Sequence, residues 1–398
     1  MLHVMTRTQA AACVREQMKH CVPRTETVDL RFAAGRVLSE ELTADRDVPA
    51  FDRTTVDGYA VVAADTFGAG AAVPAELDII GNVRMGETPA FSLQSGQCAR
   101  ISTGGMLPPG ADAAVMVEHT DEELGVCLVY QGVSPGENVT KRGDDVCVGS
   151  TVLQTGTRLG TAEIGVLASL GNYRVPVFAK PRVAILSTGD EITSGTAQGA
   201  QVQDINSFLL AAAAEALGCE AVLLGAVPDD RAKICASLER GLREADMVLI
   251  SGGSSAGTRD MTVDVLRQYG EVLLHGVAMK PGKPTIFGMA QGKPVFGLPG
   301  HPLAAYFVFR LLVREAIVTL LCLPEDKPAG RYPLAVNVPS NHGREEFLCA
   351  RLDASGCLMP LHTKSGVISV LAQADGFIRV PRDTEGLQKG EETELYLL

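Results

Sequence analysis

The chain has 398 residues, 46% of them apolar and 21% charged, a balance that excludes disorder for most of its length. That length exceeds what one ordinary core organises, so two to four domains are expected. A formal net charge of −12 excludes a general nucleic-acid surface, which collects lysine and arginine on phosphates. An anionic ligand would need local cations or a bound metal to overcome that field.

Residues Thr8 to His20 read as an opening helix ended by Pro23, and Met1 to Lys19 carry no apolar signal core. From Asp45 to about Gly136, short apolar runs alternate with turns such as Gly81-Asn82 and Pro108-Pro109-Gly110, predicting a β-rich insert. Helical character returns over Thr161 to Leu170, with Gly171 as its stop. The fold class expected is multidomain α/β plus β. Its parts are the stretches 1–44 and 137–179 that flank the insert (45–136), a parallel-sheet α/β domain (180–325) and a terminal β domain (326–398).

The parallel sheet rests on strand–helix alternation. Val183 to Leu186, Ala221 to Val227 and Met247 to Ile250 are near-continuous apolar strands. Between them lie an Ala-rich helix from Asp204 to Leu217, with Asn206 or Ser207 as cap, and a helix with Ile234, Leu238 and Leu242 spaced by four. Apolar strands of this kind belong to a sheet covered on both faces. Leu303 to Leu323 is the most membrane-like stretch, but Arg310, Arg314 and Glu315 interrupt it, so a buried amphipathic helix is expected. The ten cysteines show neither C-x-x-C nor zinc-ligand spacing. They read as reduced thiols, mostly buried, in a cytoplasmic protein.

Loops at the carboxyl ends of parallel strands line the ligand crevice. Two are rich in small and acidic residues: Ser187-Thr188-Gly189-Asp190-Glu191, and Ser251 to Gly257 followed by Asp260. The second can wrap an anion with its N–H groups, or be only a tight turn. Carboxylates beside such a loop suit magnesium held between acids and phosphate oxygens, whereas Asp190 can equally be a turn residue. Lys280 and Lys283 sit on a proline-stiffened loop and form a candidate anion clamp. His301 in Leu298-Pro299-Gly300-His301-Pro302 is a base or the holder of a structural hydrogen bond.

Taken in order, the strings FDRTTVDGYA, RISTGGMLPPGADAAV, GENVTKRGDDV, STGDE, SGGSSAGTRD, MKPGKP and LPGHP span essentially the whole chain. Together they resemble the molybdopterin molybdenumtransferase family, which includes bacterial MoeA and the corresponding gephyrin domain. The resemblance implies a homodimeric transferase in which 1–44 and 137–179 form an elongated segmented domain that carries the dimer, the parallel-sheet domain binds the pterin and a C-terminal β-barrel closes the cleft. The implied reaction joins molybdate to adenylylated molybdopterin with release of AMP, assisted by Mg2+.

By that resemblance, Ser187, Thr188, Gly189, Asp190, Gly252, Gly253, Ser254, Gly257, Pro299, Gly300 and Pro302 would bind the pterin and its phosphates. Glu191 and Asp260 would hold the metal, with Asp229 or Asp230 positioning ligand. Lys280 and Lys283 would attract molybdate, with Arg344 and Ser365 or Ser369 as further oxyanion contacts. Asp57, Thr103 and Asp145 match family positions tied to activity and would complete the site from the adjoining subunit. Departures include His301 for the commoner Asn and Ala304 where a serine hydroxyl often stands, which bears on molybdate versus tungstate. A molybdopterin adenylyltransferase and apo-molybdoenzymes are implied partners; a membrane or nucleic acid is not. The competing expectations are an ATP-dependent adenylyltransferase and a non-catalytic dimeric scaffold.

Overall fold

The computed structural model describes residues 4–252, 256–361 and 364–398, except for the side chains of 256–260. The chain forms two compact units, one of Met1–Glu40, Thr155–Gly160 and Val175–Leu398, the other of Glu41–Gln154 and Thr161–Arg174.

In the first unit, helix α1 (Arg7–Met18) begins where Thr6 and Gln9 close a reciprocal capping box. A six-stranded sheet follows, built from β1 (Arg182–Thr188), β2 (Glu220–Val227), β3 (Met247–Gly252), β4 (Gly270–His275), β6 (Ile286–Ala290) and β7 (Lys293–Leu298); the short strand β5 (Met279–Lys280) lies outside it. The strand order is β2-β1-β3-β7-β6-β4. Strands β2, β1, β3 and β7 run parallel, as expected from their apolar runs. Only β6 departs from a purely parallel sheet, being antiparallel to both β7 and β4. The cause is local: Gln291 (φ 50°) and Gly292 (φ 75°) make a two-residue hairpin, which can join only antiparallel strands.

Alternating side chains on these strands serve two cores. Val183, Ile185, Met247, Leu249, Phe296 and Leu298 face one, with α1, α2 (Asn206–Ala216) and the helical run from Pro302. Ala184, Leu186, Val248, Ile250 and Val295 face the other, with Leu238 and Leu242 of α3 (Arg231–Glu244) and Val263 and Leu266 of α4 (Ala256–Tyr269). Burial on both faces explains why β1 and β3 lack the apolar–polar alternation of a half-exposed strand. It also places the loops after β1, β2, β3 and β7 at one end of the sheet.

The stretch from Leu303 is one helical run, α5 (Pro302–Val308), a π-helical turn (Phe309–Val313) and α6 (Arg314–Leu320). Its buried face bears Phe307, Leu312 and Ile317, and Arg310 and Arg314 both pair with Asp326. No helix among the described residues is long and apolar enough to cross a membrane. Beyond it, β8 (Glu345–Leu352) pairs with β9 (Leu358–Pro360), β10 (Gly376–Val380) and, in parallel, β5.

The second unit carries the β-rich character expected of the insert. Its six-stranded sheet runs in the order Ala113–Met116, Gly58–Val61, Gln97–Ile101, Ala75–Val83, Val126–Val129, Thr120–Glu123. Tyr59, Leu77, Cys98, Val115 and Cys127 form its core.

Two expectations are corrected. The cysteines are all free but not mostly buried: Cys98, Cys127, Cys219 and Cys349 are, whereas Cys147 and Cys322 are exposed and four are intermediate. Nor does Asn206 or Ser207 cap α2 with its side chain. The buried Asp204 carboxylate does that work, accepting from the Ser207 N–H at 3.1 Å.

Candidate active site

Two cavities open beside each other in the first unit and share His301 and Gly366 in their linings. The strand-end cavity, of about 300 Å³, is lined by Thr188, Glu191, Asp204, Asn206, Gly252, Gly300, His301 and Pro302 among others. Its walls are set by hydrogen bonds that tie the strand ends together. Ser187 Oγ donates to Asp204 Oδ1 at 2.7 Å, and Asn206 Nδ2 donates to Ser251 Oγ (2.7 Å) and the Gly300 carbonyl (2.9 Å). Gly252 is required here. At φ +148° a Cβ would lie 2.2 Å from both the carbonyl oxygen and Oγ1 of Thr188.

Two buried polar atoms of that lining, Thr188 Oγ1 and Asn206 Oδ1, have no hydrogen-bond partner among the described residues. Buried groups of this kind cost about 1–3 kcal/mol each when left unsatisfied, which makes them candidate contacts for a polar ligand edge. Asp190 Oδ1 accepts from the Asp229 N–H at 3.1 Å, a bond across to the loop after β2 and not within its own turn, and Asp230 caps α3 through the Lys233 N–H. Gly189 lies buried at the end of β1. Gly257 belongs to the first turn of α4 and the backbone of Asp260 follows just after it; Gly253, Ser254 and the Asp260 side chain lie outside the described residues. Among the described residues, no group of three or more His, Cys, Asp or Glu side chains converges to hold a metal.

The lysine cavity is larger, about 670 Å³, and takes Lys280, Lys283, Pro299, His301, Ala304, Arg344, Glu346, Lys364 and Ser365 into its lining. Four cationic side chains there face one carboxylate, a local reversal of the chain's −12. The lysine loop can turn this tightly because Gly282 sits at φ +112°, with a would-be Cβ only 2.4 Å from Met279 Cε. His301 Nδ1 lies 3.1 Å from Ser365 Oγ, and the Leu303 N–H donates to the Ser365 carbonyl at 3.1 Å, so His301 holds a hydrogen bond between segments. Ser369 lines neither cavity.

The single crevice expected for acids and lysines is thus a pair of cavities meeting at His301. Asp57, Thr103 and Asp145 belong to the second unit. There the Asp57 carboxylate accepts from the Thr103 N–H at 2.8 Å, and the Asp145 N–H donates to the Val48 carbonyl at 3.0 Å. Asp204, Asn206, Glu346 and Lys364 were missed by sequence reasoning. The first two lay inside a helix read only for its caps, and Glu346 stands beside Arg344 with no pattern to single it out.

The geometry on its own describes an anion-collecting pocket beside a polar-edged one; comparison with known proteins decides the family. Residues 5–171 match the family model described as MoeA N-terminal region (domain I and II), and residues 331–398 match MoeA C-terminal region (domain IV). Residues 184–319 match the "Probable molybdopterin binding domain". The molybdopterin molybdenumtransferase of Bacillus subtilis is 33% identical over 94% of this chain and 90% of its own. Molybdopterin molybdenumtransferase 2 of Mycobacterium tuberculosis is 33% identical over 96% and 97%. The chain belongs to the MoeA family. A solved MoeA structure from Pyrococcus horikoshii superposes with a TM-score of 0.86 at 38% identity, covering 99% of both chains. In MoeA terms, the strand-end cavity lies almost wholly in the matched 184–319 segment, whereas the lysine cavity draws Arg344, Glu346 and Ser365 from the C-terminal one.

Proposed function

We infer that the chain is a molybdopterin molybdenumtransferase of molybdenum cofactor biosynthesis, inserting molybdate into adenylylated molybdopterin with release of AMP. The observation that carries this reading is the junction at His301 between a cavity with unsatisfied polar atoms and one with four cations. A pterin offers polar edges to Thr188 and Asn206, and an oxyanion such as molybdate takes the lysine cavity. The MoeA match runs through all three segments and not the central one alone, which separates this reading from a free-standing adenylyltransferase.

Anhydride cleavage asks little covalent work of the protein, so positioning and charge neutralisation dominate. Lys280, Lys283 and Arg344 would hold the oxyanion, and Ser365, anchored by His301, would add a hydroxyl contact. The missing hydroxyl at Ala304 leaves that wall of the cavity apolar and bears on the choice between molybdate and tungstate. Magnesium binds through one or two carboxylates plus phosphate oxygens. Glu191 in the strand-end lining would hold a cation carried in on the ligand's phosphates, where it would neutralise anhydride charge, and Asp260 is the second carboxylate that the family resemblance offers for it. The reading includes a cytoplasmic homodimer, a four-part subunit closed by a C-terminal β-barrel, and completion of the site by Asp57, Thr103 and Asp145 of the adjoining subunit.

The test is AMP release from adenylylated molybdopterin by purified protein, with molybdate and with tungstate. Release that depends on oxyanion is expected. ATP-dependent adenylylation of molybdopterin without any oxyanion requirement would overturn the reading.

A further inference from the structure

A carboxylate in the wall of an anion site is electrostatically out of place, and Glu346 is such a group. Its side chain is only 9% exposed, and its Oε1 lies 2.7 Å from Lys280 Nζ. Its Oε2 accepts a hydrogen bond from Ser340 Oγ at 2.8 Å. The pairing is written into the backbone: β5 and β8 run parallel with Lys280 opposite Glu346 and Met279 opposite Glu345. Because side chains alternate along β8, the neighbouring Glu345 is engaged elsewhere, by Arg7 and Arg379, both at 2.9 Å. Glu346 alone of the two reaches the lysine cavity.

We propose that Glu346 is a positioning residue that aims Lys280 at the bound oxyanion and restrains how tightly the cavity grips it. The inference rests on the reading of the lysine cavity as the molybdate site. An ammonium has three N–H donors. With one fixed on Glu346, the remaining two have a defined direction, which a flexible four-carbon stem lacks when unpaired. Lys283, by contrast, carries no such partner among the described ion pairs, so the two lysines are unequal by construction. Lys283 adds attraction, and Lys280 adds attraction with geometry. The same carboxylate also subtracts one charge from a cluster of four cations, weakening ground-state capture of a dianion. Binding an oxyanion tightly before reaction does not accelerate the chemical step, whereas a well-aimed cation does.

The experiment measures molybdate binding to the full-length protein by calorimetry, with no pterin present, alongside steady-state AMP release for the wild type, Glu346→Gln, Ser340→Ala and Lys283→Ala. For Glu346→Gln, molybdate should bind about 3- to 10-fold more tightly while kcat falls about 10-fold, a split that a merely structural role does not give. Ser340→Ala, which frees the far oxygen of the carboxylate, should move both quantities the same way by about 2- to 3-fold, and it decides the matter if Glu346→Gln does not fold. Unchanged binding with unchanged kcat, or weaker binding with slower turnover, overturns the proposal. Lys283→Ala tests the underlying reading separately: if it binds molybdate as well as the wild type, the cavity is not the oxyanion site and the failure lies there.

Discussion

The strand-end cavity is made by loops of one sheet, each loop fixed by the strand before it. The lysine cavity is assembled from three separated stretches, around 279–284, 299–304 and 344–366. The first orders its polar groups through short hydrogen bonds among Ser187, Asp204, Asn206 and Ser251, leaving Thr188 Oγ1 and Asn206 Oδ1 unsatisfied. The second relies on accumulated charge and has a single internal counter-ion. On the proposed function, the difference teaches that recognition of shape and attraction of charge are separated in space, so a substitution should damage one without the other.

The largest effect should come from the charged side. Lys283→Ala is expected to lower kcat/KM for molybdate about 100-fold, roughly 2.7 kcal/mol of transition-state stabilisation, with little change in thermal midpoint. Equal losses toward pterin and molybdate would break the comparison. Next is Gly252→Ala. The added Cβ meets the Thr188 backbone at 2.2 Å, so about 2–4 kcal/mol of stability should be lost in denaturant titration. Full stability in that variant would mean that the strand ends are not packed as described.

Thr188→Val sharpens the contrast. Removing a hydroxyl that has no partner among the described residues should leave stability unchanged or raise it by about 1 kcal/mol, while adenylylated molybdopterin binds about 10-fold more weakly. Molybdate affinity measured alone should not move. The smallest effect concerns the thiols. Burial pushes Cys219 up to about 12 and Cys349 up to about 11, leaving both as unreactive thiols at neutral pH. Brief iodoacetamide treatment followed by mass spectrometry should therefore modify the exposed Cys147 and Cys322 first, with AMP release unaffected. Early labelling of Cys219 would contradict the packing of the first core.

Much of the strand-end region was legible in the sequence because its cause is local. Apolar runs bounded by Ser-Thr-Gly-Asp and Ser-Gly-Gly announce covered parallel strands and their loops, and β1 and β3 lie where those runs fall. The Gln291-Gly292 hairpin was not seen, since its signature is a pair of left-handed φ values that Gln does not advertise. Lys280 and Lys283 were visible as a pair of charges, but Glu346 was not. Its significance comes from a parallel register between β5 and β8, and no periodicity along either strand encodes which strand will lie beside it. For a related reason, nothing in one dimension places His301 in the lining of both cavities.

The strand partner of Lys280 has consequences for how the protein comes into being on the ribosome. While β8 is still to be translated, the central sheet can form with its strand-end loops complete, but the ammonium of Lys280 has neither a neighbouring backbone nor a counter-ion. The cluster of Lys280, Lys283, Arg344 and Lys364 is therefore complete only when residues 344–364 have been added, after the central sheet and its strand-end loops.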